Sequence, residues 1–107
     1  MATPRLAFDV WPSGITSADI PANNNVQRLD ATVNMSVKSA TTTAQPASPT
    51  NGDVYILPAS PTGTDWAGKA TDTIAYFNVA WYFFTPKRGM MSIVEDTSAT
   101  LIYTSAW

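Results

Sequence analysis

Eight acidic side chains are the first residues to weigh as chemistry: Asp9, Asp19, Asp30, Asp53, Asp65, Asp72, Glu95 and Asp96. Hydrolysis of a glycosidic bond needs two carboxylates facing one another across the substrate, and only Glu95 and Asp96 adjoin. Neighbours in a strand point to opposite faces, and an acid beside a turn is commonly solvated or bonded to the turn backbone. Asp53 follows Asn51-Gly52 and Asp65 precedes Trp66, so both read as turn-capping carboxylates. The sequence has no histidine and no cysteine. That removes a Ser-His-Asp triad, a thiolate nucleophile and the usual ligands of zinc. "GTDWAG" at 63–68 lacks the Gly-Lys-Ser/Thr ending of a phosphate loop, and Lys87-Arg88-Gly89 reads as a solvated loop tip after Pro86. The expectation is a protein without catalytic residues, metal or cofactor.

Aromatic rings are the remaining candidates for recognition. A Trp or Tyr face stacks on the apolar face of a sugar. Trp66 in a Gly- and Pro-rich loop, with Tyr103 and Trp107 further on, are therefore candidate glycan contacts. The same residue types fill β cores and subunit interfaces, and the sequence leaves both uses open. The densest group is "AYFNVAWYFFTP" at 75–86, where Tyr76, Phe77, Trp81, Tyr82, Phe83 and Phe84 stand together in a chain that is 11% aromatic.

The elements that must position these residues follow from pattern. Residues 1–22 are apolar without a period and broken by Pro4, Pro12 and Gly14, which predicts an extended arm. Asn23-Asn24-Asn25 offers helix-start chemistry, and Val26, Leu29, Val33 and Val37 recur at helical spacing, which predicts a helix over 23–40. That narrow stripe suits either docking on the chain's own β-domain or self-association. A Thr-, Ala- and Pro-rich linker over 41–52 ends at the Asn51-Gly52 turn signal, and 53–107 reads as a small β-domain. If Asn78-Val79 is a two-residue loop, Tyr76 faces Trp81 and Phe77 faces Ala80, so both faces of the hairpin are apolar. A second hairpin turning at Thr97-Ser98 would pair Val94 with Leu101 and Ile93 with Ile102.

Composition bounds the partners. The 107 residues are 45% hydrophobic and 13% charged, with a net charge of −2. Charge this sparse suits a chain that covers part of its surface with another subunit. No basic stripe offers itself to nucleic acid. The N-terminal residues lack the basic head and apolar core of a signal peptide, and no apolar run has the length of a membrane span, so no membrane partner is expected.

One family matches the order of landmarks. "TPRL", "NNNVQRLDATVNMSV", "PASPTNGDVYILPASPTGTDWAG", "IAYFNVAWYFFTPKRGM" and "SIVEDTSATLIYTSAW" resemble the domain family DUF2793 of phage and gene-transfer-agent virion proteins. Where that family tends to have Asp-Gly before its Trp residues, this chain has Asn78-Val79 and Thr104-Ser105. The resemblance implies a structural virion protein, made in the host cytoplasm, that serves as an attachment or adaptor module of a tail fibre or head spike. It also implies a homotrimer that meets other virion proteins through the N-terminal arm; the alternative is a module that contacts host glycans. The expected fold is mainly β with one short N-terminal helix, an extended arm before it and a small antiparallel domain of hairpins after it.

Overall fold

Asp19 and Pro21 supply what a helix start needs: a carboxylate near the positive end of the peptide dipoles, and a residue whose missing N–H is not required in the first turn. In the computed structural model, which describes residues 2–107, helix α1 runs Asp19–Thr32. The expected span of 23–40 is thus shifted at both ends. Ala18 occupies the cap position with no side-chain cap among the described residues. Asn24 and Asn25 lie inside the helix and bind the arm instead, through Asp9.

The helix stops where its sequence changes period. Val33 turns extended and Asn34 takes a φ of 49°, the left-handed region that Asn tolerates better than most residues. Beyond it Met35, Val37 and Ser39 are buried while Ser36 and Lys38 face outward, the alternation of a strand. Val37 therefore belongs to strand β1 (Ser36–Val37) and not to the helical stripe. A step of four is one helical turn and also two strand periods, so Val33 to Val37 fitted both.

Among the described residues the strands form two sheets of three, one of which takes in β1 from before the expected β-domain of 53–107. Strands β2 (Val54–Ile56), β3 (Ile74–Asn78) and β4 (Ala80–Phe84) form an antiparallel meander. Strands β5 (Met91–Val94) and β6 (Ala99–Ile102) form a hairpin, and β1 lies parallel to β5. The segment around β1 stitches the sheets together. It accepts from Ile93 and Glu95 on one side, then bonds Val54 and Ile56 on the other through Lys38 N and Ser39 O. Between the sheets and the inner side of α1 lies the main core of Ala31, Met35, Val37, Val54, Ile56, Ile74, Tyr76, Phe84 and Val94.

Both hairpin registers differ from expectation. In the first, Asn78 pairs with Ala80, Phe77 with Trp81 and Tyr76 with Tyr82, so Val79 alone makes the bend. A slip of one residue sends every β4 side chain to the other face. Tyr82 and Phe84 now join Ile74 and Tyr76 inside, while Trp81 and Phe83 join Tyr55, Ala75 and Phe77 on the opposite face. In the second, Val94 pairs with Ala99 and Met91 with Ile102 across a turn over 95–98. That slip is two residues, so Val94 and Leu101 still point inward and Ile93 and Ile102 outward.

Val79 sits at φ 65° with its side chain 81% exposed. A β-branched residue is strained there, and nothing packs on it in return. Val79→Gly should therefore raise stability by about 0.5–1 kcal/mol, the relief of left-handed strain less the extra chain entropy of glycine. The urea unfolding midpoint, at unchanged slope, is the measurement.

Candidate functional site

The outward side chains of α1 and β5 meet in one apolar surface. Of the predicted stripe, Val26, Leu29 and Val33 are exposed by 61%, 42% and 59%, whereas Val37 is fully buried in the chain's own core. Met91, Ile93 and Ile102 are exposed to a similar degree on the outside of the β5–β6 hairpin. Two shallow clefts join Leu29 and Val33 of the first group to Met91 and Ile93 of the second. One, of about 370 Å³, runs between arm, helix and strand past Leu6, Phe8, Leu29, Val33 and Met91. The other, of about 320 Å³, continues over Met35, Met91 and Ile93, and Asn34 and Met91 line both. The sequence showed the helical part of this surface and missed Met91, whose neighbours Met90 and Ser92 hide the alternation.

Arg28 fixes the arm against this surface. Its guanidinium lies 5.9 Å from the Phe8 ring centre and 5.1 Å from that of Phe84, and it donates to the Leu6 and Ala7 carbonyls. Arm, helix and β4 thus share one cation between two ring faces, an arrangement that favours Arg over Lys. The arm is curled: Thr3 O accepts from Ala7 N, and Phe8 O accepts from Thr3 N at 2.7 Å. Val10, Trp11 and Ile15 remain exposed on it.

A second tie joins helix and sheet, where the buried Tyr76 hydroxyl donates to Asp30. Burial, then the bond to Asp30 and its negative charge, push this hydroxyl up to about 12 from its ordinary value of 10.0. At the rim, Lys38 lies 3.6 Å from Glu95 and 3.9 Å from Asp53, and Ser36 donates to Glu95.

The aromatic stretch is divided between two cores. Tyr76, Tyr82 and Phe84 serve the main one, and Trp81 and Phe83 pack with Tyr55 against a smaller cluster of Leu57, Trp66 and Ala75. Trp66 has no exposed surface and stands edge-to-face with Tyr55 and Trp81, each at 5.3 Å. As a candidate glycan contact it is corrected to a core residue. Gln45 holds its loop: Oε1 accepts from the Asp65 and Trp66 amides, and Nε2 donates to Asp65. Gly63 makes this fit, since a Cβ there would stand 2.5 Å from the Gln45 Cβ. Trp107 is half-buried and donates through Nε1 to the Asp72 carbonyl, with Tyr103 edge-to-face against it at 5.3 Å.

The carboxylates are dispersed. Asp53 accepts from Thr50 N, Asp65 is engaged by Gln45, Asp9 binds the helix and Glu95 meets Lys38. The family described as "Protein of unknown function (DUF2793)" matches residues 22–107. The chain belongs to this family. The DUF2793 match takes in all but the first turn of α1, the anchored linker and both sheets, and leaves most of the arm outside it. Comparison with curated proteins and with solved structures gives no match.

Two outcomes check these assignments. Trp66→Ala should cost about 3–5 kcal/mol of stability, as for other large core truncations, and Trp66→Phe markedly less, because Trp66 Nε1 is buried without a partner among the described residues. Denaturant curves of the pair separate a core ring from a surface platform. For Tyr76 the folded value lies above the unfolded one, so its share of stability is whole below pH 10.0 and is lost as pH rises to about 12. Unfolding midpoints measured across that window should fall more steeply for the wild type than for Tyr76→Phe.

Proposed function

We propose that this chain is a non-enzymatic structural module of a phage virion appendage, an attachment or adaptor unit of a tail fibre or head spike that works as a homotrimer. The observation that carries this reading is the continuous apolar surface of Leu29, Val33, Met91 and Ile93, with Val26 exposed further along the helix. Large exposed apolar patches with a polar rim mark places where another surface docks. The total accessible area supports it: 6359 Å² is exposed, against about 5800 Å² for a folded monomer of this mass.

The resemblance to phage and gene-transfer-agent virion proteins supplies the setting, and threefold symmetry is the closed arrangement it implies. A stripe as narrow as Val26, Leu29 and Val33 suits helices meeting about a common axis. The arm, with Val10, Trp11 and Ile15 exposed, is the segment offered to other virion proteins. Synthesis in the host cytoplasm and residence in the particle follow from the same reading.

Light scattering coupled to size-exclusion chromatography tests it. At micromolar concentration the wild type should elute with the mass of a trimer. Leu29→Asp together with Val33→Asp should give monomers with an unchanged circular dichroism spectrum, since both residues are exposed in the single chain. A wild-type monomer at that concentration would overturn the proposal.

A further inference from the structure

The tip of the first hairpin carries a second feature, separate from the apolar surface. Between the hairpin and the segment 45–49 runs an open cleft of about 380 Å³, lined by Pro46, Pro49, Asp65, Phe77, Val79 and Trp81 among others. Its size is that of a small-molecule site, and its shallowness suits a ligand that stays partly in water.

We infer that this cleft binds a neutral saccharide. Its apolar side is Trp81, half-buried and braced edge-to-face by Phe77 at 5.1 Å and by Trp66 at 5.3 Å. A platform held this way keeps its ring in place, which stacking on a pyranose requires. Pro46 and Pro49 form a wall whose φ angles are fixed by their rings.

The polar end is Asp65. One of its oxygens, Oδ2, takes the Gln45 Nε2 proton at 3.0 Å, while Oδ1 has no partner among the described residues. The loop behind it is already tied, because Gln45 Oε1 accepts from Asp65 N at 2.7 Å and from Trp66 N at 3.0 Å. A fixed carboxylate beside a ring is an acceptor for sugar hydroxyls, and bonds to a charged acceptor are among the stronger ones. No lysine or arginine lines the cleft among the described residues. A phosphate or carboxylate ligand would meet only the like charge of Asp65 there.

Val79 forms the rim. Its strained backbone is held by Asn51 Oδ1, which accepts from Val79 N at 2.8 Å. Strain of this kind persists where surroundings enforce it, and here it presents an apolar lip to the cleft. None of these lining residues belongs to the helical stripe or to the outer face of β5–β6, so the inference stands apart from the trimer.

Titration of the 15N-labelled full chain with neutral disaccharides of glucose, galactose, mannose and N-acetylglucosamine tests it, with a short proline-rich peptide run alongside. At least one disaccharide should shift the Trp81 indole and Asp65 amide resonances to saturation in the millimolar range. Ala47→Trp, at an exposed lining position, and Asp65→Asn, which keeps an acceptor for Gln45, should each weaken binding about tenfold or more. Absence of shifts with every sugar, shifts with the peptide alone, or undiminished binding by a folded Ala47→Trp chain would overturn the inference.

Discussion

A sheet that is apolar on both faces has to be covered twice, and β2–β3–β4 is such a sheet. Its inner side chains, Val54, Ile56, Ile74, Tyr76 and Phe84, are buried under α1 and the second sheet. Of its outer side chains, Ala75 is buried, while Trp81 and Phe83 stay half-buried where they pack on Leu57 and Trp66 from the segment that follows β2. Much of the rest of the chain follows from this demand. The linker is pinned to Thr62 so that Gln45 can hold the Trp66 loop, and the helix is tied down by Tyr76–Asp30 and by Arg28 against Phe84.

Covering one sheet with another moves the problem outward. The second sheet uses Val37, Ser92 and Val94 for the shared core and leaves Met91, Ile93 and Ile102 facing solvent. The helix does the same, burying Ala31 and exposing Val26, Leu29 and Val33. Nothing among the described residues covers these faces as a third layer. Identical copies can supply that layer, and this is the physical basis for reading the chain as one member of an assembly.

How far the sequence could be read depended on whether a local pattern had one meaning. The strands at "DVYIL" and across the aromatic stretch were legible because β-branched and aromatic residues were bounded by turn signals, and the family was legible from the order of its landmarks. The end of α1 was not, because Val33 and Val37 fit a helix and a strand equally; only Asn34 at positive φ and the burial of Met35 separate them. The first register hinged on one residue. A two-residue loop is the usual hairpin connection, and nothing in "FNVAW" announces that Val79 alone would turn at a cost in strain. Trp66 was ambiguous for another reason: its burial depends on Gln45 and on Trp81, residues remote in sequence.

The central claim, that the outer faces of helix and second sheet are covered by further copies, is tested most directly by small-angle X-ray scattering across a dilution series. A single chain has a radius of gyration of 14.3 Å and dimensions of 46 × 29 × 22 Å. The account predicts a radius well above that value at micromolar concentration, with a scattering mass of three chains and no decline until strong dilution. A radius that stays at the single-chain value throughout would contradict it.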